Sequence, residues 1–243
     1  MRAFILGNSG ELLDHDLSLL QGETVFGCNA LPLRCPEIIT HYVCLDIGMA
    51  FVPEVRALVS TSCHKYYSRL LWNTIDHEDN VNVYDTWNVR LIGFEASVEK
   101  MYEGMTVTYI MLQLAVALGY DELYLLGIDL GLPANGIQHI PEQEVLLKIM
   151  KDKNLRPPLD DKSAKNTDHV GFNKPVQTRF IYARDKMKEM GVSVYNLSKG
   201  GNLNCFPRKC FEEVVTNSHD LSLVVNSNHE TEIVSDVELT KGE

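Results

Sequence analysis

Residues 105–129 read MTVTYIMLQLAVALGYDELYLLGID, and they decide the fold. Met105 to Leu118 is a strongly apolar run that predicts a helix. Gly119 follows it as a left-handed stop. Glu122 to Ile128 is a short apolar strand closed by Asp129. Helix, glycine, strand and terminal aspartate together make half of a doubly wound α/β fold.

The same rhythm runs back toward the amino terminus. Ala3 to Leu6 is an apolar strand leading straight into Gly7-Asn8-Ser9-Gly10, and Leu12, Leu13, Leu17, Leu19 and Leu20 predict a helix behind it. Thr24 to Cys28 is a second strand stopped by Asn29, and Tyr42 to Leu45 a third stopped by Asp46. Brief apolar strands that each close on a small polar residue are the pattern of a buried parallel sheet. Val81 to Tyr84 and Val89 to Ile92 read as further strands, and His64 to Trp72 as a helix or a lid.

Toward the carboxyl terminus, Gly131 to Thr167 is polar and broken by Pro133, Pro141, Pro157 and Pro158, with one helical stretch at Glu142 to Met150. A connection this long inside a domain serves as a lid or binding loop, so 131–174 is expected to be a lid-like insertion. Pro175 to Met190 predicts a helix ended by Gly191, Val192 to Tyr195 the last strand, and Phe206 to Val215 a closing helix. The expected architecture is α/β: a single Rossmann-like domain over 1–215 with a mostly parallel sheet. An acidic, disordered tail follows over 216–243, within which Leu221 to Val225 could add an edge strand.

The charge balance narrows the partners. Lysine and arginine number 22 against 33 acidic residues, for a net charge of −11, and the tail alone holds Asp220, Glu230, Glu232, Asp236, Glu238 and Glu243 against Lys241. Such a chain offers no broad positive field to a phosphate backbone, which argues against a nucleic-acid partner. The 6 cysteines show no CxxC pair and no zinc spacing, and Cys28 and Cys44 lie in apolar runs. A reduced, cytoplasmic interior follows as the expectation, with no metal site. MRAFILGNSG turns polar too soon for a signal peptide, and no apolar run reaches membrane-spanning length.

Several polar residues fall where α/β sheets bind ligands, at the carboxyl ends of strands. The turn Asn8-Ser9-Gly10 lets a backbone approach a ligand closely, and amides at a helix start favour an anion. It lacks the GxGxxG pattern, and Asn29 stands where a dinucleotide fold places its acid, so a nicotinamide-type site is excluded. Asn29, Asp46 and Asp129 each end a strand; each could touch a ligand or cap the next turn. Thr106-Val107-Thr108 opens the long helix, where it could hold a base, ribose or phosphate or serve as an ordinary cap. His169, at the end of the long polar loop, can accept a proton near neutral pH. His139 is a second such histidine.

The order of these motifs resembles the small bacterial sialyltransferases with one Rossmann-like nucleotide-binding domain. It is more similar still to their relatives in the domain-of-unknown-function family 115, which includes flagellin-glycosylation accessory proteins and an archaeal pterin diphosphokinase. The resemblance rests on residues 4–10, 25–29, 42–46, 106–129, Asp168-His169, 194–198 and 206–208. It implies a glycosyltransferase passing a sugar, of the nonulosonic or sialic acid type, from a nucleotide-sugar to a hydroxyl of a glycan or small-molecule acceptor. A CMP-sugar is the first choice of donor. By the same resemblance Asn8, Ser9, Gly10 and Asn29 would hold phosphate and ribose, with Asp46, Thr106, Val107 and Thr108 completing the nucleotide site. Asp129 would orient the sugar or the neighbouring loop, with no cofactor, and His169, the histidine nearest to the family's base position, is the expected base. The sequence departs from the sialyltransferase pattern at Asp46, at Val107-Thr108, at Phe172 where the base histidine is expected, and in Gly131 to His139, which lacks two expected tyrosines. The pterin relative implies an alternative, a Mg2+-dependent diphosphate transfer with Asp46 and Asp129 as ligands; a third reading is nucleotide binding without turnover. Relatives often assemble, which makes a homo-oligomer one expectation.

Overall fold

The computed structural model describes residues 1–76, 78–131, 133–153 and 170–216. Eight strands form one sheet: β1 (Arg2–Leu6), β2 (Val25–Cys28), β3 (His41–Cys44), β4 (His64–Ser68), β5 (Val81–Trp87), β6 (Lys100–Tyr102), β7 (Glu122–Leu126) and β8 (Ser193–Asn196). Their order is β6-β5-β4-β3-β2-β1-β7-β8, and every neighbouring pair is parallel. The chain winds outward from β1 to β6, then returns to lay β7 on the other side of β1. This is a Rossmann-like α/β fold, and its winding reverses between β1 and β7.

The short apolar runs are explained by two covered faces. Phe4, Leu6, Tyr42, Cys44, Tyr124 and Leu126 belong to one buried cluster, and Ala3, Ile5, Phe26, Cys28, Leu123 and Leu125 to the other. Strands covered on both sides have no polar face to show in the sequence. The helix predicted from Met105 is α3 (Val107–Ala117), buried from Thr108 to Val116. Its largely apolar sequence reflects burial nearly all round. Helix α5 (Val170–Glu189) shares its cluster through Val176, Phe180, Ala183 and Met187, whereas α4 (Pro141–Asp152) packs Leu146 and Met150 on the opposite face. Two single-turn helices, α1 (Pro53–Arg56) and α2 (Arg69–Trp72), follow β3 and β4.

Four readings of the sequence are corrected. The leucine-rich stretch after β1 forms two short 3-10 segments, Gly10–Asp14 and Leu17–Leu20, rather than a helix. Ser9 and Asp16 each bond a backbone amide two residues on, and these local bonds replace the helical ladder. His64 to Ser68 is strand β4, with Tyr66 and Tyr67 buried in opposite faces, a pattern hidden by tyrosines standing in place of aliphatics. Val89 to Ile92 is loop, with Leu91 and Ile92 about half exposed, and the three-residue β6 takes the edge position instead. The closing helix covers 211–216 only; before it, Asn196 and Arg208 form a lone parallel bridge. The strand expected at Leu221 to Val225, and the tail with it, lie outside the described residues. Among the described residues no helix is long and apolar enough to cross a membrane.

Candidate functional site

The reversal between β1 and β7 leaves a crevice outside the carboxyl ends of those strands, where open α/β sheets bind ligands. A cavity of about 440 Å³ lies there, walled by Asn8 and Ser9 after β1, Cys28 and Asn29 after β2, Thr106 to Thr108 at the start of α3, and Asp129 after β7. Gln138, His139 and Gln143 close it from the 131–153 segment. A second lobe of about 770 Å³ opens beyond Asn29, Thr106 and Val107, which line both. Asp46, Ser68, Arg69, Asp85 and Glu103 are among its walls.

The turn after β1 is built differently from a free anion cradle. The amides of Gly7 and Ser9 donate to the carbonyls of Leu126 and Gly127, at 2.9 and 3.2 Å. A Cβ on Gly7 would lie 2.1 Å from the Gly127 oxygen, so only glycine lets β1 and β7 close this tightly. Gly10 is covered by Ile137 and does not line the cavity. The 133–140 stretch is fastened over the turn by Ile140 donating to the Asn8 carbonyl at 3.0 Å and Asn135 Nδ2 to that of Gly10 at 2.9 Å.

Beneath the turn sit two buried acids. Ser9 Oγ donates to Asp129 Oδ2 and accepts from the Glu11 amide at 3.2 Å. The Lys199 amide donates to Glu11 Oε1. Glu11 has no exposed surface and Asp129 is 5% exposed. Burial, reinforced by Glu11, pushes the Asp129 carboxyl up to about 6 against the opposing Ser9 and Ser198 hydroxyls. Two further buried oxygens at the cavity, Asn8 Oδ1 and Gln143 Oε1, lack a hydrogen-bond partner among the described residues, as do Asp129 Oδ1 and Glu11 Oε2. The small lobe is therefore rich in acceptors that need donors. Cys28 is no nucleophile here: burial pushes its thiol up to about 12.

The rim stores backbone strain. Asn29, Met105 and Leu130 hold φ of 49°, 67° and 50°, a conformation that non-glycine residues adopt at a cost of about 1–3 kcal/mol each. All three border the lobes.

One solved structure is similar to this chain in outline. It is a crystal structure of a variant of the sialyltransferase CST-II in complex with CMP. The two chains align over 86% of each, at 16% sequence identity and a TM-score of 0.44. No protein-family model matches the chain, and no curated protein matches it. At this level of identity the likeness assigns no role to any residue.

The structure brings Asn8, Ser9, Asn29, Thr106, Val107, Thr108 and Asp129 to one lobe, as their places at strand and helix ends predict. Asp46 stands apart in the larger lobe, exposed, where its side chain caps residues 47–51 by accepting the Gly48 amide at 2.7 Å. Thr106 caps α3 and lines both lobes. His169 lies outside the described residues, and so does much of the expected lid. Sequence reasoning missed Glu11 and Gln143. Glu11 follows Gly10 directly, yet an acid in a leucine-rich stretch reads as solvent-facing; only the return of Lys199 over the turn buries it. Asp46 and Asp129, which a diphosphate transfer would pair as magnesium ligands, line different lobes, and no three of the described His, Cys, Asp or Glu residues are grouped to hold a metal ion.

Proposed function

We propose that the cleft binds a nucleotide-activated sugar and that the chain transfers the sugar to an acceptor hydroxyl. The observation that carries this reading is the small lobe itself: unpartnered buried acceptors on Asn8, Gln143 and Asp129 around about 440 Å³, joined to a larger lobe over the start of α3. Buried acceptors without donors are costly, and a polyhydroxyl ligand supplies what they lack. The sugar hydroxyls therefore belong in the small lobe. The phosphate belongs at the junction, which Thr106 and Val107 line at the amino terminus of α3. The nucleoside then extends into the larger lobe past Asn29.

The charge of the small lobe refines the donor. Among the described residues no lysine or arginine lines it, and Asp129 does. A neutral sugar fits this wall better than one carrying its own carboxylate, so a nonulosonic sugar is the less favoured cargo. His169, the base expected from the sequence, lies outside the described residues.

Diphosphate transfer with magnesium is the second reading, favoured by Asp46, Asp85 and Glu103 in the larger lobe. Asp85 is already held by Arg69 at 3.2 Å, which leaves Asp46 and Glu103 as the carboxylates of that lobe that could meet a magnesium ion carried in on a diphosphate. Thermal melting with CMP-, UDP-, GDP- and ADP-sugars, with and without EDTA, tests both readings. A ligand at a hundred times its dissociation constant adds about 2.7 kcal/mol. One nucleotide-sugar should raise Tm by roughly 5–10 °C whether or not EDTA is present. No shift with any of them sinks the first reading, and a shift lost with EDTA favours the second.

A further inference from the structure

The three acids on the wall of the larger lobe are not equivalent. Asp46 accepts the Gly48 amide and Asp85 is forked by Arg69. The Glu103 carboxylate is half-buried and has no hydrogen-bond or ion-pair partner among the described residues. Burial alone acts on it and pushes its carboxyl above the ordinary value. Tyr84, the titratable group of β5 that feels its charge, already donates to the Cys44 carbonyl at 2.9 Å.

The backbone around Glu103 is fixed. The residue follows β6 directly, and behind it Gly104 and Met105 take φ of 63° and 67° in succession. A Cβ on Gly104 would lie 2.1 Å from the Tyr109 ring, so this left-handed turn packs against α3 only as glycine. The Thr106 amide closes the turn on the Glu103 carbonyl at 3.3 Å. One short connection therefore holds a carboxylate in the larger lobe and Thr106 at the junction of the two lobes.

We propose that Glu103 reads the base of the donor and that the base is guanine. The proposal rests on the reading of the cleft as a nucleotide-sugar site with its nucleoside in the larger lobe, and it sets guanine against the cytidine donor that the resemblance implies. A carboxylate is best satisfied by two parallel donors. Among the common bases guanine alone carries two adjacent donors on its pairing edge, the N1–H and the N2 amino group. Cytosine and adenine set a ring lone pair beside their single amino group, and uracil flanks its one N–H with two carbonyls. Each of these would turn an acceptor toward the second carboxylate oxygen. Asn73 and Thr86, which also line the lobe, carry donors of the kind that guanine O6 accepts. Leu45, Ile47 and Leu70 give the ring faces an apolar surface in the same lobe.

Calorimetry with GDP, IDP, ADP, UDP and CDP tests the assignment, in EDTA so that no magnesium bridges a diphosphate to a carboxylate. IDP is the decisive probe, because hypoxanthine keeps the N1–H and O6 of guanine and lacks only the N2 amino group. GDP should bind tightest, at least about tenfold tighter than IDP, as one bidentate base contact allows. In Glu103→Gln the two should bind within about threefold of each other, because glutamine accepts from one donor and meets the other with its own amide hydrogens. Equal binding of GDP and IDP by the wild-type protein, or tighter binding of any other base, overturns the guanine assignment and leaves the nucleotide site standing. A GDP-to-IDP ratio unchanged in Glu103→Gln removes Glu103 from the role. Binding of none of these nucleotides overturns the underlying reading and the proposal with it. The wild-type comparison decides the base even if the variant does not fold.

Discussion

Replacing Asp129 with asparagine should make the protein more stable, and only above about pH 5. The folded structure raises this carboxyl from 3.8 to about 6. At 1.36 kcal/mol per pH unit, holding Asp129 ionised in the fold costs about 3 kcal/mol. The sign follows from proton binding. Between roughly pH 4 and 6 the folded protein keeps a proton that the unfolded chain has released, so this contribution to stability is complete below about 3.8 and lost as pH rises through about 6. Asparagine carries no such dependence. Its Oδ1 can still accept from Ser9. For a chain of this size about 1 kcal/mol moves Tm by roughly 2–4 °C. Melting curves of both proteins from pH 4 to 8 should therefore diverge, the variant ahead by roughly 6–12 °C at pH 8 and level near pH 4. Parallel curves, or a less stable variant at pH 8, would refute the reasoning. A destabilising acid retained at a cleft is the signature of a group kept for chemistry rather than for the fold.

Other outcomes can be checked alongside. Asn29→Gly should bind nucleotide-sugar at least tenfold more weakly by calorimetry yet keep its Tm within about 2 °C, because glycine accepts the φ of 49° that Asn29 holds. Gly7→Ala should lower stability by about 3 kcal/mol or more in urea unfolding, since its methyl meets the Gly127 carbonyl at 2.1 Å. Arg56→Ala should cost about 1–3 kcal/mol in the same assay, because the Met49 carbonyl loses its buried donor while Glu78 keeps Lys65 and Tyr67. His169→Ala should lower kcat far more than nucleotide affinity if His169 reaches the reacting centre, and equal losses in both would remove it from that role.

The legible part of this protein was its parallel core. Strands such as Phe4-Ile5-Leu6 and Leu123 to Leu126 are covered on both faces, so they appear as uninterrupted apolar runs, and their polar terminators mark the ligand-binding edge. That logic, applied to the amino-acid sequence alone, groups Asn8, Asn29, Thr106 and Asp129, and the fold does bring them to one lobe. Where local polar bonds or short edge pairing decide the outcome, the sequence was silent. Ser9 and Asp16 broke the predicted first helix, and β6 needs only three residues to close the sheet edge. The influence of Glu11 on Asp129 was illegible for another reason: the residues are far apart in sequence, and only the register of β1 on β7 brings their turns together. Composition misled in one respect as well. The glycine-bordered turn suggested free amides for an anion, but the amides of Gly7 and Ser9 are spent on fastening β1 to β7.

The binding claim is tested most directly by amide and side-chain NMR shifts during titration with the nucleotide-sugar that most raises Tm. The sugar-bearing ligand should perturb the Asn8 and Gln143 side-chain amides together with the Thr106 to Thr108 backbone, and the free nucleotide should leave the first two unmoved. Shifts confined to surfaces away from the β1–β7 crevice, or no saturable shift with any nucleotide-sugar, would contradict it.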